Sequence, residues 1–115
     1  MKTKREHRQK RRASIRKTVY GTSEKPRLTI FRSNKNIFAQ LIDDSKNITI
    51  IGMSDKAVRA KDMKKVVSAE NLGKEFAKVA NTKGIKEIVF DRNGYKFHGR
   101  IKAFAESVRA SGLKF

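Results

Sequence analysis

The alternation of apolar and polar side chains predicts a small sheet that begins after Pro26. Three segments are rich in β-branched and aromatic residues and are separated by short polar turns: Arg27–Arg32 (RLTIFR), Ile37–Asp43 (IFAQLID) and Ile48–Met53 (ITIIGM). Because their connections are short, we expect these segments to form an antiparallel meander of three strands. In the second segment the odd-numbered and even-numbered residues lie on opposite faces of the sheet.

The second half of the chain predicts two helices and a fourth strand. After a loop at residues 54–62, apolar residues recur every three or four positions from about Met63 to Lys83, which is typical of an amphipathic helix. Lys86–Asp91 (KEIVFD) predicts a short buried strand, and a last helix is expected from about His98 to Ser111. We expect the third strand, the first helix and the fourth strand to form a right-handed βαβ unit. The predicted fold class is therefore α/β, a small mixed sheet of about four strands in the element order β-β-β-α-β-α, covered by two helices.

Residues 1–26 lack this apolar pattern and are strongly basic. The chain has 29 Lys and Arg residues against 11 Asp and Glu, a net charge of +18, and residues 1–27 hold 11 of the basic and 2 of the acidic ones. A segment with few large apolar side chains cannot offset the entropy lost on ordering, so by itself it should be disordered. We therefore predict a flexible basic arm and linker at residues 1–26 and a single α/β domain at residues 27–115.

The composition also limits the classes of function. There is no cysteine, which excludes disulfides and cysteine zinc sites, and His7 and His98 stand apart, so neither a metal centre nor a catalytic group is expected. No apolar run approaches the ~20 residues of a membrane span, and no apolar segment follows the N-terminal charges as in a secretory signal. We expect a cytoplasmic protein that is not an enzyme, uses no cofactor, small-molecule substrate or membrane, and has its charge neutralised by nucleic acid.

The basic arm is the first candidate for binding RNA phosphates. Arg5, Arg8, Arg12 and Arg16 are three or four residues apart, so they would line one face if the segment became helical. Guanidinium groups make bidentate bonds to phosphate, and arginine-rich segments often fold when they bind RNA. A generic solubilising tail is the weaker alternative, because the charge is dense and of one sign.

Two loops of the predicted domain are the other candidates. The residues of the turn at Arg32–Lys35 support two roles about equally, a contact with phosphate or a plain polar turn. Residues 92–100 precede the last helix, whose free N–H groups attract an anion, and Tyr95 in this loop either stacks on a base or is simply packed. The predicted RNA-binding residues are Lys4, Arg5, Arg8, Lys10, Arg11, Arg12, Arg16, Lys17, Arg27, Arg32, Ser33, Asn34, Lys35, Arg92, Tyr95, Lys96, His98 and Arg100.

The glycines of the second loop also match the spacing of a nucleotide-binding P-loop. Gly94 and Gly99 are separated by four residues, as in that motif. The motif then requires Lys followed by Ser or Thr, whereas Arg100 and Ile101 stand at these positions. Binding of a nucleoside triphosphate is therefore not expected.

Two long segments resemble the signatures of a known family, bacterial large-subunit ribosomal protein eighteen. The first is Arg27–Asp44 and the second is Phe90–Ala103, and the ending Ala110–Phe115 is also similar to that of the family. Asn93 stands where the family more often has glycine, but Asn tolerates a left-handed backbone. The region Asp55–Val67 is only weakly similar, so no role is transferred to it.

This resemblance implies a function. The family binds 5S rRNA and helps to dock it, with neighbouring 5S-binding ribosomal proteins, onto the large-subunit rRNA in the central protuberance. By matching position, the resemblance points to the basic arm, to Arg32–Lys35 and to Arg92–Arg100. The alternative is a DNA-binding architectural protein, because the charge of the arm alone does not distinguish the two polymers, although no helix-turn-helix is recognisable.

Overall fold

The computed structural model describes residues 3–16 and 19–115, in which four strands and three α-helices are present. The strands are β1 (Arg27–Arg32), β2 (Ile37–Asp43), β3 (Ile48–Ser54) and β4 (Val89–Asp91). The helices are α1 (Lys4–Arg16), α2 (Lys65–Thr82) and α3 (Gly99–Ala110), and a short 3-10 helix lies at Asp55–Ala57. The predicted mixed sheet and the order β-β-β-α-β-α are confirmed for the part of the chain that follows the arm.

The four strands form one sheet in the order β3-β2-β1-β4. β1 pairs with β2 and β2 with β3 in antiparallel orientation, which confirms the predicted meander. β4 pairs with β1 in parallel orientation. β3 and β4 are therefore parallel, as expected for a βαβ unit, but they lie at opposite edges of the sheet, with β2 and β1 between them.

The core lies between one face of the sheet and the helices α2 and α3. The strands and helices supply side chains that are at most 1% exposed, among them Leu28, Ile30, Ile37, Ala39, Leu41, Leu72, Phe76, Ile101 and Phe104. The odd-numbered residues of β2 are all buried, so the predicted alternation is confirmed. The rings of Phe76 and Phe104 join α2 to α3 in an edge-to-face contact, with centroids 6.0 Å apart.

The predicted strand at residues 86–91 is shorter in the structure, where β4 begins at Val89. The preceding residues pair with the C-terminal segment instead of with the sheet. The amide of Ile88 donates to the carbonyl of Lys114, and the amide of Lys114 donates to the carbonyl of Lys86. This closing of the C-terminus against residues 86–88 was not apparent from the sequence.

Residues 4–16 of the basic arm form α1, which lies against the loop that precedes α3. None of the described side chains of α1 belongs to the buried core, and most are exposed. An isolated helix of this length is only marginally stable in water, so α1 depends on its contacts with the domain. The sequence predicted disorder only for the arm on its own. In the structure α1 contacts the domain, and the sequence pattern did not reveal these contacts.

Candidate nucleic-acid interface

The loop between β4 and α3 is shaped by two successive residues with a left-handed backbone. Asn93 has φ 55° and Gly94 has φ 77°. The buried side chain of Asn93 donates to the carbonyl of Ile30 at 3.1 Å, and the backbone amide of Asn93 donates to Asp91 Oδ1 at 2.8 Å. The loop is therefore tied to β1 and β4, and Asn93 adopts the left-handed conformation that a glycine would otherwise supply.

Gly94 brings the backbone of this loop directly against α1. A Cβ atom at Gly94 would lie 2.3 Å from the carbonyl oxygen of Arg8 and 2.9 Å from the amide nitrogen of Arg12. Arg11 Nε donates to the carbonyl of Gly94 at 2.8 Å. Only glycine permits both the close approach and the positive φ, so this position fixes where the arm contacts the domain.

Tyr95 connects α1 to the end of β1. The guanidinium carbon of Arg8 lies 3.9 Å from the centroid of the Tyr95 ring, a cation–π contact. The Tyr95 hydroxyl accepts a hydrogen bond from the amide of Arg32 at 3.1 Å and donates to its carbonyl at 3.2 Å. One face of this ring is thus covered by Arg8, which favours the packed role of Tyr95 over the predicted stacking on a base.

These contacts create a basic groove of about 590 Å³ between α1, the end of β1 and the loop. We call it the basic groove and define it by its lining residues, Lys4, His7, Arg8, Arg11, Arg32, Tyr95, Lys96 and His98. None of these described residues is acidic, so the positive potential of the cations is not neutralised locally. Such a groove favours the phosphodiester backbone of a nucleic acid as its ligand.

The structure brings seven of the predicted site residues together in the basic groove and places the others elsewhere. His7 was missed, although Lys4, His7 and Arg11 are three and four residues apart and share a helix face. Arg5 and Lys10 are exposed on α1, outside the groove. The side chain of Arg16, and Lys17 as a whole, lie outside the described residues. The predicted basic face therefore overlaps the helix face that lines the groove at Lys4, Arg8 and Arg11.

Arg27 has a structural role in place of the predicted contact with RNA. It is only 7% exposed. Its Nη1 lies 2.8 Å from Asp91 Oδ2 and its Nε lies 2.9 Å from Asp44 Oδ2. The hydrogen bonds that Arg27 donates to Asp44 and then to Asp91 raise its pKa against the opposing effect of burial. Because its charge is paired within the fold, Arg27 is not available to a phosphate.

Arg100 is likewise buried, at 7% exposed, and braces the turn at residues 33–36. Its Nη2 donates to the carbonyl of Ser33 at 2.7 Å. Burial lowers the pKa of Arg100, and the neighbouring charges of Arg32 and Arg59 lower it further while Asp55 opposes them. Arg100 therefore holds the turn through Nη2, and its predicted contact with phosphate stays a prediction.

Two further cations hold the same turn and were missed by sequence reasoning. Arg59 Nη1 donates to the carbonyl of Lys35 at 2.6 Å, and the ammonium group of Lys65 donates to the carbonyl of Asn34. Arg59 lies in the predicted loop at residues 54–62 and Lys65 near the start of the predicted helix, and both lie in the region of weak family resemblance. With its carbonyls held, the turn leaves the side chains of Ser33, Asn34 and Lys35 exposed, as a contact with RNA requires.

The remaining predicted residues lie in or beside the loop before α3. Arg92 is half-buried, and its Nη1 donates to the carbonyl of Tyr95 at 3.1 Å, which stabilises the loop. His98 is exposed and precedes α3 without forming a side-chain cap. The first amides of α3 therefore remain available to an anion beside Lys96.

Neither a metal site nor a membrane span is present among the described residues. In the ranges 3–16 and 19–115, no three His, Asp or Glu side chains are grouped so that they could hold a metal ion. No described helix combines the length and the apolar character needed to cross a membrane.

Comparison with known proteins identifies close relatives over the whole chain. The family model described as "Ribosomal L18 of archaea, bacteria, mitoch. and chloroplast" matches residues 2–115. The chain is 52% identical over 112 residues to the large ribosomal subunit protein uL18 of Petrotoga mobilis, with 94% of this chain and 92% of that protein covered. It is 51% identical over 115 residues to the protein of the same name from Porphyromonas gingivalis, with 100% of both chains covered.

Proposed function

Because this chain belongs to the ribosomal L18 family and is a structural protein of the large ribosomal subunit, we propose that it binds 5S rRNA. We further propose that it helps to attach this RNA to the large-subunit rRNA in the central protuberance. Its partners are then 5S rRNA, large-subunit rRNA and the neighbouring 5S-binding ribosomal proteins. The family is not enzymatic, so the chain acts by holding RNA in place.

The basic groove is the observation that carries this proposal. It gathers cations from three parts of the chain that are distant in sequence: Lys4 and Arg11 on α1, Arg32 at the end of β1, and Lys96 before α3. Cations at several points along a groove fit a chain of phosphates better than a single anion. Arg32 and Lys96 belong to the folded domain, so affinity would not come from the arm alone.

Competition between 5S rRNA and duplex DNA tests the proposal. We expect the full chain to bind 5S rRNA more tightly than duplex DNA at raised salt, because contacts with a folded RNA go beyond counterion release. Equal affinity for the two polymers at raised salt would exclude the 5S-specific role and favour the DNA-binding architectural alternative.

The salt dependence of binding tests whether the basic groove contacts phosphates. In the double variant Lys4→Gln/Lys96→Gln, the slope of log affinity against log salt should become shallower by about 1.5, because each lost phosphate contact removes about 0.7–0.9. Fluorescence anisotropy with labelled 5S rRNA at a series of salt concentrations measures this slope.

The matched control is Lys74→Gln/Lys78→Gln, which removes the same charge from exposed positions on α2. We expect the control to leave the slope close to that of the unmodified chain. If both double variants flatten the slope equally, net charge alone governs binding and the basic groove is not the contact surface.

A further inference from the structure

The sheet face opposite α2 and α3 exposes two phenylalanines that are direct cross-strand neighbours. Phe31 on β1 pairs with Phe38 on β2, and their exposed fractions are 41% and 38%. A phenylalanine carries roughly 150–250 Å² of largely apolar surface, so leaving two such rings together in water is unfavourable. We call Phe31 and Phe38 the aromatic platform, and its exposure indicates a partner that covers it.

A glycine on the neighbouring strand makes room for one of these rings. Phe38 extends across Gly52 on β3, where its Cζ atom lies 3.3 Å from the position that a Cβ would occupy. Any larger residue at position 52 would press against the Phe38 ring. The sheet thus provides a flat, uncrowded surface on which the ring lies at the protein exterior.

The aromatic platform is bordered by cations and adjoins the basic groove. A hollow of about 370 Å³ above it is lined by Phe31 and Phe38 and by Arg8, Arg12 and Arg32. Arg8 and Arg32 also line the basic groove, as does Tyr95. A strand whose phosphates lie in the groove would therefore bring its next nucleotides over the aromatic platform.

We propose that the aromatic platform stacks unpaired bases of an RNA strand whose phosphates occupy the basic groove. This inference rests on the proposed RNA-binding function and specifies the part of the RNA, an unpaired strand. Bases within a duplex are stacked on each other, whereas unpaired bases can stack on aromatic side chains. The flanking arginines favour a nucleic acid over an apolar protein surface, because phosphates would neutralise their charge and an apolar surface would not.

Removal of the rings, with apolar side chains retained, tests the inference. The Phe31→Leu/Phe38→Leu variant of the full chain should bind a single-stranded oligoadenylate about tenfold more weakly, because stacking on an aromatic ring strengthens binding of each base. Its affinity for an abasic strand with the same phosphate backbone should be unchanged. Fluorescence anisotropy at one salt concentration measures both affinities.

Two control variants separate stacking from other effects. Phe31→Tyr/Phe38→Tyr retains both rings and should bind the oligoadenylate like the unmodified chain. Tyr20→Leu removes an aromatic side chain that is 61% exposed and does not line the hollow, and it should have no effect. Melting curves should show that every variant folds, because none of the substituted side chains belongs to the buried core.

A spectroscopic measurement gives an independent test. The chain contains no tryptophan, so in a Phe38→Trp variant the indole fluorescence reports on this position alone. Oligoadenylate should quench this fluorescence by stacking, and the abasic strand should not. Equal quenching by the two strands would contradict the proposal that the aromatic platform stacks bases.

The possible failures of the two proposals are distinguishable. Phe31→Leu/Phe38→Leu could bind oligoadenylate as tightly as the unmodified chain while Lys4→Gln/Lys96→Gln flattens the salt slope. In that case base stacking on the aromatic platform is excluded, and RNA binding in the basic groove is still supported. The platform would then be open to a protein partner. If 5S rRNA and duplex DNA bind equally but oligoadenylate alone quenches the Phe38→Trp variant, the 5S-specific role is overturned and base stacking is supported.

Discussion

Replacing Gly94 with alanine should release α1 from the folded domain. The new Cβ atom would lie 2.3 Å from the carbonyl oxygen of Arg8, a contact that neither backbone can accommodate without moving. The contacts that hold α1, such as the Arg8–Tyr95 cation–π pair and the Arg11 hydrogen bond, are each expected to contribute about 1 kcal/mol. This is too little to withstand such a clash, so the helix should separate and lose its order.

The released arm should be visible in both structure and binding. Amide hydrogen exchange of residues 4–16 should rise to the level of an unfolded peptide, because an isolated helix of 13 residues is marginal. Affinity for 5S rRNA should fall at least about tenfold, since ordering a segment on binding costs roughly 2–5 kcal/mol. Exchange detected by mass spectrometry and anisotropy titrations measure the two effects.

Gly84→Ala is the matched control for this substitution. Gly84 has φ 78°, almost the value at Gly94, but a Cβ there would meet nothing within 4 Å. Both variants should lose about 1 kcal/mol of unfolding free energy from the strained backbone, and only Gly94→Ala should expose the arm. Equal exchange of residues 4–16 in the two variants would show that Gly94 does not hold α1.

Replacing Arg27 with methionine should lower the free energy of unfolding by about 3–5 kcal/mol, because it removes the cation that Asp91 and Asp44 share within the fold. Asp91 is fully buried and Asp44 is only partly exposed, and both oxygen contacts with Arg27 are shorter than 3 Å. Methionine preserves much of the apolar packing of the arginine stem, so the loss isolates the ion pairs. Urea denaturation followed by circular dichroism measures the change.

Arg32→Met is the control, since Arg32 is exposed and lines both the basic groove and the hollow above the aromatic platform. We expect it to leave stability within about 0.5 kcal/mol of the unmodified chain, as is usual for surface positions, while weakening the binding of 5S rRNA. The two arginines, which lie at opposite ends of β1, should thus show opposite phenotypes. A loss of less than about 1 kcal/mol in Arg27→Met would contradict the structural role of Arg27.

The strands and helices of the domain could be predicted largely from the sequence, because burial on one sheet face imposes a period of two. The bounds of β1 and β2 agree with the prediction, and β3 extends one residue further. The position of β4 beside β1 could not be predicted in this way. Its three residues carry no periodicity, and their pairing depends on contacts between distant parts of the chain.

The site could be predicted only in part, because a basic residue has the same appearance in a sequence whether it faces RNA or a carboxylate. Arg27 is paired with Asp91, which lies 64 residues further along the chain, and no local pattern indicates that pair. The docking of α1 depends on Gly94, whose role becomes clear only when the helix lies against it. The sequence therefore identified most of the cations of the groove, while the structure distinguishes those that brace the fold.

Amide chemical-shift mapping during a titration of the full chain with 5S rRNA tests most directly whether the basic groove is the RNA-binding face. The largest shifts are expected at residues 4–11, at Arg32 and at residues 95–98. The exposed faces of α2 and α3 around Glu70 and Glu106 should change little. Shifts concentrated on α2 and α3, with the basic groove unchanged, would contradict the account.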